Sequence, residues 1–150
     1  MTTEANKLIA RQFFEDTNTG DGAAMVDRLI ARDFRLNGWP FDPNEWKELF
    51  TWAQTEVPDW HFTIEDMLAE GDRVAVRLSV SGTPRTRWRR YRTNGQSFTS
   101  KGFFFLRIVD GIIVEAWDQF SELWELQQLG ALPTPEQAEA AQQQMPDGAK

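Results

Sequence analysis

Asp118 lies in the stretch Ile112-Ile113-Val114-Glu115-Ala116-Trp117-Asp118-Gln119-Phe120. Read as a strand, alternation puts Ile112, Val114, Ala116, Asp118 and Phe120 on one face and Ile113, Glu115, Trp117 and Gln119 on the other. A carboxylate among four apolar side chains is costly unless it is paired, hydrogen-bonded or reached by water in a lined cavity. In a cavity, apolar neighbours raise its pKa and let it abstract or return a proton; near a strand end it can instead cap a neighbouring turn. Asn37, before Gly38, can hydrogen-bond a carbonyl or developing oxyanion, or serve only as a turn residue. Asp118 and Asn37 are the candidate catalytic residues. Candidate ligand contacts are Trp39 in a Pro-bounded loop, Trp88 among arginines, Trp60, Phe120 on the face of Asp118, and Arg77, which lines the pocket or faces solvent or a partner subunit.

The elements that must position these residues begin with helices. Leu8, Ile9, Phe13 and Phe14 give an opening helix over Glu4 to Asn18, and Thr19-Gly20-Asp21-Gly22 ends it. Asp21 can cap a second helix through Met25, Val26, Leu29 and Ile30. A short extended piece follows at Asp33 to Asn37, then a loop that its prolines keep non-helical. Asn44 reads as the cap of a third helix with Trp46, Leu49, Phe50 and Ala53 on one stripe, closed by Pro58.

Strands come next. Asp59 to Glu70 alternates with Trp60, Phe62, Ile64, Asp66 and Leu68 on one face, and Gly71-Asp72 turns the chain into the half-buried strand Arg73 to Val80. An arginine-rich segment with Trp88 and Tyr91 leads through Asn94-Gly95 into Ser97 to Val109. Phe103 to Ile108 is apolar on both faces, so this strand is expected at the centre of the sheet, covered by helices on one side and by a partner subunit on the other. Asp110-Gly111 makes a hairpin with the strand of Asp118. Ser121 can cap a short helix with Leu123, Trp124, Leu126 and Leu129 at helical spacing, stopped by Gly130. Residues 1–133 thus form one domain and 134–150 a tail, frayed or helical. Helices followed by four or five antiparallel strands make an α+β fold with helices on one face of a curved sheet.

Composition narrows the chemistry. The 150 residues contain no cysteine and one histidine, which removes thiol nucleophiles, disulfides and the usual zinc site. A formal net charge of -7 speaks against a nucleic-acid binder, although Arg85, Arg87, Arg89, Arg90 and Arg92 cluster locally on what reads as a solvated hairpin rim. No apolar run reaches membrane-spanning length and the first residues lack a signal-like region, so a cytoplasmic protein is expected. His61, opposite Phe62 and Ile64, reads as a surface or interface residue. Seven tryptophans and eleven phenylalanines beside one tyrosine supply flat apolar surface, for a core or for the lining of a pocket.

The segments Asn6-Lys7, Phe13-Phe14, Asn18-Thr19-Gly20-Asp21, Val57-Pro58-Asp59-Trp60-His61-Phe62, Glu70-Gly71-Asp72-Arg73-Val74-Ala75-Val76-Arg77, Ser81-Gly82-Thr83, Arg107-Ile108-Val109-Asp110-Gly111 and Gln128-Leu129-Gly130 follow a recognisable order. In these, from about Asn6 to Pro133, the chain resembles the SnoaL-like polyketide cyclases of the NTF2-like (cystatin-like cone) superfamily. The resemblance implies a cone that binds a linear or partly cyclised polyketide and directs ring closure, without a cofactor or metal, often in a homodimer and in secondary metabolism such as antibiotic biosynthesis. It also implies an acid/base aspartate at the position held here by Ser121, which is therefore a candidate substrate contact. Asn37 and Pro84 stand where the family commonly has histidines. Ring closure could then proceed with Asp118 as acid/base and Asn37 polarising a carbonyl, or by a pericyclic route in which the cavity only holds the reacting ends together. Other readings are a cofactor-independent hydroxylase, an epoxide-opening enzyme using Asp118, Asp66 and Arg77, or a noncatalytic carrier of an apolar small molecule.

Overall fold

A computed structural model describes residues 1–146 and 148 of the chain. Helix α1 (Thr3–Asn18) starts at Thr2, whose side chain accepts from the Ala5 amide. It buries Asn6, Ala10, Phe13 and Phe14, while Leu8 is exposed: the true inward stripe follows the 3.6-residue period through Ala10 instead of Leu8. Helix α2 (Gly22–Leu29) follows at once. Asp21 holds its cap position without a side-chain hydrogen bond. Helix α3 (Pro43–Glu56) is capped two residues before the expected Asn44, because Asp42 accepts from the Asn44 amide and Pro43 fits the first helical turn.

The strands are β1 (Ile30–Leu36), β2 (Trp39–Pro40), β3 (His61–Glu70), β4 (Arg73–Gly82), β5 (Arg87–Trp88), β6 (Tyr91–Arg92), β7 (Phe98–Val109) and β8 (Ile112–Phe120). Six of them form one curved sheet in the order β2-β1-β8-β7-β4-β3, and β5 and β6 form a separate two-stranded ribbon. The α+β architecture is the expected one, with β7 central. The sheet is not wholly antiparallel, however: β1 runs parallel to β8, having been carried to that edge by the two opening helices. Helix α1 packs across β3 and β4. Asn18 ties it there, its amide donating to the Phe62 carbonyl and accepting from the Phe62 amide.

Two bulges reset which side chains face the helices. On β3, Ile64 opposes Leu78 but Asp66 opposes Arg77, so Glu65 is the extra residue. Beyond it Met67 and Ala69 turn inward, and Asp66 and Leu68, expected inside, are exposed. On β8, Arg107 opposes Glu115 while Ile108 opposes Ile113, which leaves Val114 as the extra residue. Ile113 is therefore buried, and Ala116, Asp118 and Phe120 still face inward as alternation required.

Helix α4 (Glu122–Gln128) and helix α5 (Pro135–Gln143) end the chain. Thr134 and Gln137 close a capping box on α5, which buries no residue. The end of the tail, Asp147, Ala149 and Lys150, lies outside the described residues. Among the described residues no helix is long and apolar enough to cross a membrane.

Gly102 on β7 lets β8 close over it. A Cβ there would stand 2.3 Å from the Gln119 carbonyl oxygen and 2.4 Å from Cδ1 of Phe120. The first of these is backbone held in the sheet and cannot retreat. Gly102→Ala is expected to cost about 1–3 kcal/mol, the usual range for overpacking, and to push the Phe120 ring from its place; a urea melt beside near-ultraviolet circular dichroism checks both.

Candidate functional site

Asn37 and Gly38 form a two-residue hairpin turn between β1 and β2, with φ of 53° and 86°. Asn and Gly are the residues that tolerate that left-handed pair. The turn sets Leu36 opposite Trp39 and sends Trp39 to the outer edge of the sheet, where it is 77% exposed. Trp39 therefore does not reach the site expected of it. The same turn presents the Asn37 side chain to β8. Its Nδ2 donates to Asp118 Oδ1 at 2.8 Å, and its Oδ1 accepts from the Asp118 backbone amide at 2.9 Å. The Asn37 backbone amide also donates to the Ala116 carbonyl. The amide's orientation is fixed, since the Asp118 N–H needs an acceptor and the carboxylate a donor.

The two candidate catalytic residues are thus joined directly. Asn37 spends its amide on holding Asp118 rather than on facing a carbonyl, which makes it a positioning residue. Asp118 stands in the wall of a partly open cavity of about 110 Å³ between the sheet and the helices. The rest of that wall is largely aromatic: Phe13, Trp46, Phe50, Trp60, Phe62, Trp88, Phe104 and Phe120, with Leu49 and Val80. Trp60, Trp88 and Phe120 are therefore brought to one place with Asp118. Edge-to-face contacts link them, Trp60 with Trp88 at 5.5 Å and Phe104 with Phe120 at 5.9 Å between ring centroids. The indole N–H of Trp60 is buried with no hydrogen-bond partner among the described residues.

Arg77 and Ser121 are not brought to the cavity. Val76 and Leu78 occupy the inward positions of β4, so Arg77 projects from the opposite face near Glu65. Ser121 is an exposed hinge between β8 and α4 and makes no side-chain cap bond. Asp66 opposes Arg77 on the outer face, so the Asp118, Asp66 and Arg77 set for epoxide opening is not assembled. His61 is exposed, as its position opposite Phe62 implied.

The ribbon of β5 and β6 covers one end of the cavity. Glu56, at the end of α3, anchors it: its carboxylate accepts from the Thr86 amide and hydroxyl and from the Arg87 amide. Those bonds, the Thr86 hydroxyl foremost, lower the Glu56 pKa. Trp88 drops from the ribbon into the interior, whereas the arginines around it remain exposed. Arg89 is the one that lines the cavity. It sits in the turn with φ of 55°, a conformation a non-glycine residue adopts at a cost of about 1 kcal/mol.

The sequence reading missed Glu125. This residue is 2% exposed, lines the cavity, and accepts a 3.1 Å hydrogen bond from Trp88 Nε1. Burial pushes its carboxyl up from the ordinary value; Trp88, Ser100 and the Arg89 charge oppose that rise and Glu122 adds to it. Ser100 Oγ lies near enough to exert this influence but is buried without a hydrogen bond of good geometry. The available signal was helical spacing. Glu122, Glu125, Leu126 and Leu129 make an i, i+3, i+4, i+7 stripe, and Leu123 and Trp124, expected inward, are exposed. Among the described residues no group of three or more His, Cys, Asp or Glu side chains could hold a metal ion.

A sequence model of the SnoaL-like polyketide cyclase family matches residues 8–129. The chain belongs to that family. Among solved structures it is similar to IdmH of Streptomyces antibioticus, named as a candidate polyketide cyclase, at 27% identity and a TM-score of 0.72 over 83% of this chain and 98% of that one. It shares its fold with TsrD of Streptomyces laurentii, at 22% identity and a TM-score of 0.78 over 88% of this chain and 99% of the other. A SnoaL-like polyketide cyclase from Agrobacterium tumefaciens shares it too, at 20% identity and a TM-score of 0.72 over 87% and 100%. A search among curated proteins gives no significant sequence match. The two acids that face the cavity, Asp118 and Glu125, flank Ser121 in sequence.

The raised pKa of Glu125 sets a pH dependence of stability. The unfolded chain loses this proton first, so the folded state holds the more protons above the ordinary value of 4.5. Stability then falls as pH rises through the interval between the unfolded and folded pKa values, and levels off above it. Glu125→Gln is expected to remove that fall while keeping an acceptor for Trp88; urea unfolding from pH 4 to pH 8 measures the difference in slope.

Proposed function

We propose that this SnoaL-like protein is a cyclase of polyketide biosynthesis in which Asp118 moves a proton during an intramolecular aldol-type ring closure. The observation that carries this reading is the Asp118 carboxylate, fixed by Asn37 in the wall of a largely aromatic cavity. Asp118 takes a proton from a carbon next to a ketone, the enolate attacks a second carbonyl carbon, and the new alkoxide is protonated. No atom is lost, so the product is an isomer of the substrate unless water leaves afterwards. The aromatic wall suits the flat, folded chain, and a carbonyl oxygen would satisfy the Trp60 indole N–H.

At about 110 Å³ the cavity is small against the roughly 300–1,000 Å³ of typical ligand sites. Admission of a polyketide therefore requires the cavity to widen, a motion of the kind that commonly accompanies substrate binding in enzymes. The predominance of aromatic wall over polar groups favours a second reading, in which shape alone brings the reacting ends together in a pericyclic closure.

Asp118→Asn separates the two. Proton transfer by a positioned side chain contributes about 10²–10⁴-fold, and loss on that scale is expected in a single-turnover assay on a linear or partly cyclised polyketide, followed by chromatography and mass spectrometry. Retention of most of the rate would transfer the chemistry to shape. Failure of the wild type to convert any polyketide that it binds would point instead to a carrier.

We also propose a homodimer through the outer face of the sheet. Leu68, Ala75, Phe105 and Trp117 oppose one another in register and form an apolar row across four strands. Glu70, Arg73, Arg107 and Glu115 make the row on one side, carrying both signs of charge. Phe103 stands on the other side, 61% exposed on the central strand. A face with acids and arginines side by side about an apolar stripe can match a second copy rotated by a two-fold axis. Sedimentation is expected to give a dimer for the wild type and a folded monomer for Phe103→Glu; a monomeric wild type would refute the assembly.

A further inference from the structure

We propose that Glu125 is the proton donor of this cavity, delivering its proton to the oxygen of the carbonyl that ring closure converts to an alkoxide. The inference rests on the cyclase reading and adds to it a second acid with the opposite task. Asp118 and Glu125 stand in the wall of one cavity but reach it from different elements, β8 and α4. Their environments differ in kind. Asp118 receives a side-chain donor from Asn37 and is only partly buried. Glu125 is buried almost completely, and one of its oxygens, Oε2, has the indole N–H of Trp88 as a fixed donor.

Burial pushes the carboxyl of Glu125 upward, toward the neutral form that a general acid must hold before it acts. The surroundings also suit the moment after transfer. When the O–H bond of Glu125 breaks and its proton forms an O–H bond on the substrate, the electron pair stays on the carboxylate. Trp88 Nε1 then donates to a charged rather than a neutral acceptor, a hydrogen bond roughly twice as strong. The charged and titratable groups nearby are Arg89 from the β5–β6 ribbon, Glu122 on its own helix and Asp118 in the same cavity wall; β7 contributes only the uncharged Ser100. Arg89 offsets the new negative charge. The cycle closes when the proton that Asp118 took from carbon leaves to solvent and one from solvent returns to Glu125, so no co-reactant is consumed.

Glu125→Gln keeps the acceptor for Trp88 and removes the proton, and Glu125→Asp keeps the proton but draws it back. Circular dichroism verifies that each variant is folded. The first readout needs no substrate: the infrared spectrum of the whole protein at pH 7 is expected to show a protonated-carboxyl band that is lost in Glu125→Gln and kept in Asp118→Asn. Absence of that band in the wild type overturns the proposal, whatever the reaction. The second is the pH profile of single turnover on a polyketide that the wild type cyclises. Glu125→Gln is expected to lower the rate by about 10²-fold and abolish the alkaline limb, where the donor must stay protonated. Wild-type rate and alkaline limb in Glu125→Gln would overturn the role of Glu125 alone. A wild type that shows the band but closes no ring overturns the cyclase reading and this role with it.

Discussion

Asn37 and Asp118 are 81 residues apart in sequence, and each answers the other's hydrogen-bonding needs. That reciprocal pair depends on several larger features at once. It requires β1 to lie against β8, which the two opening helices make possible by carrying the chain to that edge. It requires a turn that accepts two positive φ angles, which Asn37-Gly38 supplies. It requires the bulge at Val114, without which burying Ile113 would turn Asp118 toward the outside of the sheet. Even a partly buried carboxylate needs polar partners, so the chain's topology and its candidate chemistry are the same constraint.

The aromatic wall makes the second constraint. Phenylalanine and tryptophan rings bury large areas and meet edge to face, and the sheet residues that carry them are those of the inward alternation on β3, β7 and β8. Such a lining lowers the local dielectric, which strengthens any electrostatic interaction within it. It also makes an unaccompanied charge expensive. The three ionisable groups admitted to the wall, Asp118, Glu125 and Arg89, each have company: Asn37, Trp88 and Glu122 respectively. Glu122 stands 3.5 Å from Arg89 on the exposed side, so the ion pair there is solvated and weak, and Arg89 retains field to spend inside.

What the sequence revealed follows from the range of each signal. Helical and strand periods, the Asp-Gly and Asn-Gly turns and the doubly apolar run of β7 are local, and they gave the α+β layout and the inward placement of Asp118. Bulges are not local. Nothing in Ile64-Glu65-Asp66 marks Glu65 as the extra residue; its partner strand decides it, and so Asp66 and Leu68 were misplaced. Trp39 was misjudged for a related reason, since a loop bounded by prolines says nothing about which side of the sheet it closes on. Glu125 was hidden differently. Hydrophobicity picks out Leu123 and Trp124 on α4, whereas spacing from Leu126 and Leu129 picks out Glu125, and the second signal governs because the helix must bury Leu126 and Leu129.

Ser121 stands where the resemblance to the cyclases implies an aspartate, and its place in the fold explains how the chain can lack one. It is the exposed joint at which β8 ends and α4 begins. Three residues back along the strand, alternation and the bulge direct Asp118 inward. Four residues on, one turn of α4 directs Glu125 inward, with Glu125 N donating to the Ser121 carbonyl. The two acids thus enter the cavity from the two elements that meet at this joint. A lone acid must alternate between taking and giving a proton, and its pKa is a compromise between the two tasks. Two acids in unlike surroundings need no compromise: the one with a side-chain donor is suited to accept, and the one enclosed among apolar rings is suited to give.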